Sequence, residues 1–90
     1  MSYKIHKYEI PIDYESDSVS VDIPEGADLI HFGEQDGSLF VWAVINDSNS
    51  FVERNFCIRG TGHDFRSIEG KNLATVQMSD GLVWHIFDKV

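Results

Sequence analysis

Between Tyr8 and Glu53 the chain has no lysine and no arginine, and eleven acids fall in the same span: Glu9, Asp13, Glu15, Asp17, Asp22, Glu25, Asp28, Glu34, Asp36, Asp47 and Glu53. The formal net charge of the 90 residues is -8, so the imbalance belongs to one half of the sequence. Binding to a nucleic-acid backbone is disfavoured, because neutralising phosphates takes clustered Lys and Arg. Cysteine is nearly missing as well. Cys57 stands alone and cannot close an internal disulfide, which suits a reducing, cytoplasmic setting. No apolar run approaches the ~18 residues of a membrane helix, and no charged-then-apolar leader follows Met1, so neither a membrane nor export is expected. No stretch keeps a 3.6-residue apolar period beyond about two turns, so little or no helix is expected, at most a turn in the 64–71 segment.

What is present is enough for one core. Hydrophobic residues make up 42% and aromatic residues 12% of the chain, and a chain this short forms a single domain, 1–90. Ser18 to Ile23 alternates cleanly, with Val19, Val21 and Ile23 on one face, as a half-buried strand should. In Tyr3 to Ile12 the apolar phase moves from odd positions (Tyr3, Ile5) to even ones (Tyr8, Ile10, Ile12), which predicts a bulge near His6-Lys7. Pro24-Glu25-Gly26 reads as a turn with Pro at its second position. Phe51 to Arg59 places Val52, Arg54, Phe56 and Ile58 on one face and Glu53, Asn55, Cys57 and Arg59 on the other.

Two Asp-Gly pairs, Asp36-Gly37 and Asp80-Gly81, are flanked by apolar runs and predict two-residue hairpins. Counting outwards from the first sets Gly33 opposite Phe40, His31 opposite Trp42 and Leu29 opposite Val44 on one face, with Glu34/Leu39, Phe32/Val41 and Ile30/Ala43 on the other. Counting from the second sets Met78/Val83, Val76/His85 and Ala74/Phe87 on a core face, and Gln77/Trp84 and Thr75/Ile86 opposite. The fold class that follows is all-β: about seven short antiparallel strands in a small sandwich or partly open barrel. In that arrangement Phe40, Trp42, Trp84 and Ile86 point away from the core, and His85 is a hydrogen-bonded core histidine.

The blocks Ile5-His6-Lys7-Tyr8-Glu9-Ile10-Pro11-Ile12, Pro24-Glu25-Gly26-Ala27, Leu29-Ile30-His31-Phe32-Gly33, Trp42-Ala43, Gly60-Thr61-Gly62-His63 and Leu82-Val83-Trp84-His85-Ile86-Phe87 resemble a family of small uncharacterised proteins of bacteriophages and bacteria. The resemblance spans most of the chain and transfers no activity or site. It implies a cytoplasmic setting and a phage origin, in which small acidic proteins engage host factors. Tyr14 to Asp17 and Asp64 to Asn72 fall outside it.

Two surfaces are candidates for function. The first is an acidic and aromatic interaction face of Phe40, Trp42, His31, Glu34, Asp36 and Trp84, aimed at a host protein or at a second copy of the chain, since exposed Trp and Phe are typical anchors. The second is the loop after the fifth strand, where Arg59, Gly60, Thr61, Gly62, His63 and Arg66 offer backbone N–H groups and positive charge to a nucleotide or small anion. No metal and no other cofactor is expected: the four histidines (His6, His31, His63, His85) show no short ligand spacing. Nor is an enzyme expected. No serine sits in a Gly-x-Ser-x-Gly elbow, and Cys57 lies mid-strand without a setting that would lower its pKa.

Overall fold

The computed structural model describes residues 2–13, 16, 18–65 and 70–89. Seven antiparallel strands run in the order β1 (Tyr3–Glu9), β2 (Ser18–Pro24), β3 (Asp28–Gln35), β4 (Ser38–Asn46), β5 (Phe51–Gly60), β6 (Asn72–Gln77) and β7 (Val83–Asp88). They form two sheets, β1-β4-β3 and β2-β5-β7-β6. The result is an open sandwich, all-β as the sequence indicates, and not a closed barrel. Among the described residues there is no helix, and none is long and apolar enough to cross a membrane.

The core lies between the sheets. Leu39 and Val41 from β4 meet Val19, Val21 and Ile23 from β2, Phe56 and Ile58 from β5, and Val76, Trp84 and Ile86 from β6 and β7, all buried. The two-residue side-chain period of each strand sorts these residues to one face. Ile10, just past β1, closes one end at 1% exposure, its N–H donating to the Leu39 carbonyl at 2.8 Å.

The first hairpin turns as expected. Asp36 (φ 53°) and Gly37 (φ 84°) both adopt left-handed geometry, which a type I′ turn requires. Gly33↔Phe40, His31↔Trp42 and Glu34↔Leu39 pair as counted, but a bulge between Leu29 and His31 shifts the register so that Leu29 faces Ala43 and Asp28 faces Val44. The extra residue exchanges two side chains: Leu29 packs against the core and Ile30 is left exposed, the reverse of the sequence expectation.

The second hairpin departs further from the sequence expectation. Its turn is one residue longer than Asp80-Gly81 alone. The Gly81 N–H donates to the Met78 carbonyl, and the Met78 N–H donates to the Leu82 carbonyl. Gly81 stands at φ 93°, the Gly-in-αL arrangement of three-residue hairpin loops. Val76 therefore faces Trp84 and Thr75 faces His85. A shift by one residue moves every side chain to the opposite face: Trp84 and Ile86 are in the core, while Val83, His85 and Phe87 point out.

β1 is likewise simpler than its pattern suggested. It pairs residue for residue with β4 from Tyr3↔Asn46 to Glu9↔Phe40, without a bulge. The change of apolar phase marks a change in which face is apolar: Tyr3 and Ile5 stand on the outer side, Tyr8 and Ile10 on the inner. Pro24 is the first residue of its turn and not the second, with Ala27 N–H donating to its carbonyl and Gly26 at φ 79°.

Candidate interaction face

Because partners directly opposite in an antiparallel pair share a side, the outer face of β1-β4-β3 can be read from the register. It carries Tyr3, Ile5, Lys7 and Glu9 from β1, Phe40, Trp42 and Val44 from β4, and Asp28, His31, Gly33 and Gln35 from β3. The centre is aromatic. Trp42 has His31 on one side at 5.4 Å between ring centroids and Phe40 on the other at 5.9 Å. The rings are tilted at 51° and 55°, and Gly33 makes room for the cluster, since a Cβ there would come 2.8 Å from His31 Nε2. Lys7 reaches across Phe40, its Nζ 4.7 Å from the ring centroid, and donates to the Gln35 side chain. Among the described residues no strand packs over this face, and Phe40, Trp42 and Val44 remain only half-buried.

The residues named from the sequence are thereby divided. Phe40, Trp42 and His31 form one cluster, and Asp36 stands exposed at the hairpin tip beside it. Glu34 lies on the other side of β3. Its two carboxylate oxygens accept the Ser79 N–H at 2.9 Å and the Ser79 hydroxyl at 2.7 Å, so it ties the sheets together. Trp84, at 5% exposure, is a core residue and takes no part in the face. Val44 lies on it, as the hairpin count expects, and so do Tyr3, Ile5 and Lys7, which were not among the residues named from the sequence. Their signal was the odd-numbered apolar pair at the start of β1.

The acids do not gather on one surface. Glu9 and Asp28 border the aromatic face, Asp36 tops its hairpin, and Asp47 is paired with Lys4 at 2.9 Å. Asp22 and Glu53 sit opposite each other on the outer side of the other sheet, an arrangement that like charges disfavour.

That second outer face is differently furnished. Cys57 and Arg59 point outward from β5 yet are buried. Phe65, from the segment after β5, lies 4.8 Å from the Arg59 guanidinium carbon. Beside them Thr61 Oγ1 is 2.7 Å from His85 Nε2, and Thr75 Oγ1 is 3.1 Å from His85 Nδ1. His85 is thus a hydrogen-bonded histidine, on the outer face and not in the core.

The Gly60-Thr61-Gly62-His63 turn opens on a cleft of about 210 Å³ bounded by Gly81, Leu82, Val83 and Trp84. Its backbone is largely committed: Thr61 N–H donates to the Val83 carbonyl and His63 N–H to the Gly60 carbonyl, both at 3.1 Å. The His63 ring stands edge-on to Trp84 at 6.0 Å, and a Cβ on Gly60 would strike it at 2.5 Å. Arg66 lies outside the described residues. Among the described residues, no three His, Cys, Asp or Glu side chains converge as metal ligands would.

A family model described as a domain of unknown function, DUF7352, matches residues 1–90. The chain belongs to this family. No curated protein and no solved structure matches the DUF7352 chain.

Proposed function

We propose that this DUF7352 domain acts by binding, through the outer face of β1-β4-β3, and that its partner is a host protein met in the cytoplasm by a phage or bacterial gene product. The observation that carries the reading is the His31-Trp42-Phe40 cluster, left half open to solvent beside the Ile5-Val44 pair. Large aromatic side chains half-buried on a sheet face are the usual anchors of protein interfaces. The net charge of -8, with Glu9, Asp28 and Asp36 at the border of the cluster, supports a partner whose surface around the contact is basic. The resemblance of the sequence blocks to phage and bacterial proteins supports a host polypeptide as that partner.

The test is retention of a host polypeptide by immobilised protein, compared with Phe40→Ser and Trp42→Ser variants and between low and high salt. The expected result is a polypeptide that the wild type holds, both variants lose, and salt weakens. A polypeptide held equally by the variants overturns the assignment of the face. Retention indifferent to salt overturns the acidic rim.

A second reading, a nucleotide- or small-anion-binding module at Arg59 to Arg66, has the 210 Å³ cleft in its favour. Against it stand the Thr61 and His63 N–H groups, which already have acceptors. Thermal stabilisation across a nucleotide panel, lost in His63→Ala, would support it; no stabilisation by any member dismisses it.

A further inference from the structure

We infer that two copies of the chain pair antiparallel along β1, in the register that sets Ile5 of one copy opposite Lys7 of the other. This goes beyond the proposed function and stands independently of it, since such a dimer leaves Phe40 and Trp42 open.

The sandwich has four strand edges: β1 and β3 in one sheet, β2 and β6 in the other. Exposed edges are templates for further pairing unless something blunts them. β3 is broken by the bulge at Ile30, and β6 by one between Asn72 and Ala74. β2 ends in Pro24, which has no N–H to give, and carries Asp22. β1 carries charged side chains, Lys4 and Lys7, but neither a bulge nor a proline. It runs seven residues in uninterrupted register, with Tyr3 68% and Ile5 59% exposed.

The ladder phase shows which groups are available. Ile10 N–H donates to Leu39, and hydrogen-bonded pairs alternate along an antiparallel ladder. The even-numbered residues of β1 therefore bond to β4, while Ile5, Lys7 and Glu9 turn their N–H and C=O groups to the edge that no strand of the described residues occupies.

Charge selects the same edge. β1 holds Lys4 and Lys7, the only Lys or Arg before Arg54, against one acid, Glu9, although Lys4 is also paired with Asp47. β2 and β3 would each bring carboxylates together. For two copies at -8 each, β1 is the uninterrupted edge with least repulsion.

The register follows from the same facts. Outward-turned groups must meet outward-turned groups, so odd residues face odd residues. A two-fold axis through Lys7 would oppose Lys7 to Lys7, and one through Ile5 would leave the end of the strand unpaired. An axis through His6 overlaps the whole of β1, setting Ile5 opposite Lys7 and Tyr3 opposite Glu9. The two outer faces then lie on one side of a continuous sheet, β3-β4-β1-β1-β4-β3, an isologous arrangement.

The experiment is sedimentation equilibrium of the wild type and three variants over a wide concentration range, with circular dichroism confirming that each is folded. The wild type is expected to show a monomer–dimer equilibrium. Ile5→Glu places a carboxylate opposite Lys7 at both ends of the junction and is expected to tighten the dimer several-fold, whereas Ile5→Lys loosens it by a similar factor. Ile5→Pro removes an edge N–H without touching the β1–β4 bonds and is expected to give a monomer. A wild type that stays monomeric, or a dimer whose dissociation constant does not move in opposite directions with the two Ile5 charges, overturns the inference.

Discussion

Glu34 on β3 holds Ser79 by both of its carboxylate oxygens, one on the backbone N–H and one on the hydroxyl, so the tip of one hairpin is strapped to the tip of the other. This places an acid from the base-free half of the chain in a structural role. Hydrogen bonds to a charged acceptor contribute about 1.5–3 kcal/mol when shielded, and Glu34 is only partly so. Glu34→Ala is expected to lower unfolding free energy by about 1–2 kcal/mol in a urea titration, and Ser79→Ala by less, since the backbone donor remains.

The two tryptophans are expected to behave oppositely. Trp84 lies in the core, and its replacement by Ala is expected to cost about 3–5 kcal/mol, as for other buried aromatics. Trp42→Ala is expected to cost about 1 kcal/mol, because one side of its ring is already in water. Acrylamide quenching distinguishes them directly: emission of Trp84→Phe, which retains Trp42, is quenched far more readily than emission of Trp42→Phe.

Gly70 has a backbone neighbour where a side chain would go. A Cβ at this position would collide with the Asp88 carbonyl oxygen, and the residue stands at φ 72°. Gly37 shares the left-handed conformation (φ 84°) with nothing within 4 Å. Gly37→Ala is therefore expected to cost about 1 kcal/mol of conformational strain. Gly70→Ala is expected to cost clearly more, because the β7 backbone must move. Comparison of the two melting curves checks this.

The Tyr8 hydroxyl is buried and has no hydrogen-bond partner among the described residues, and burial raises its pKa above the usual tyrosine value. An acid whose folded pKa is raised contributes stability that is whole below the unfolded pKa of ~10 and is lost as pH rises through the folded value. Tyr8→Phe is expected to leave stability at neutral pH unchanged or higher by up to about 1 kcal/mol, since a buried polar atom without a partner is removed. It is also expected to flatten the decline above pH ~10. Unfolding titrations at pH 7 and pH 10.5 measure both effects.

How much of this was legible beforehand depended on what fixed each register. Asp36-Gly37 allowed one turn type, so His31, Trp42, Phe40 and Gly33 could be placed together from sequence. The same dipeptide at 80–81 was embedded in a longer turn. Nothing in Ser79-Asp80-Gly81 announces whether the serine belongs to the strand, and the one-residue difference sent Trp84 inward. Ile30 was misplaced for a related reason: a bulge adds a residue without changing composition. The apolar odd positions of β1 were visible but read as the mark of a bulge, because nothing in the strand itself tells that its neighbour β4 carries an apolar outer face as well. The contact of Phe65 with Arg59 on the outer side of β5 has no periodicity to betray it.

The topology also constrains the order in which the chain can assemble. Only β3–β4 and β6–β7 join strands adjacent in sequence, while β1 awaits β4 and β2 awaits β5. During synthesis the first two strands emerge without partners: β1 stays unpaired until β4 is complete at Asn46, and β2 until β5 is complete at Gly60. Long-range pairings of this kind slow folding. The carboxylate excess from Tyr8 to Glu53 is present before the fold exists, and like charges on two unfolded chains repel each other.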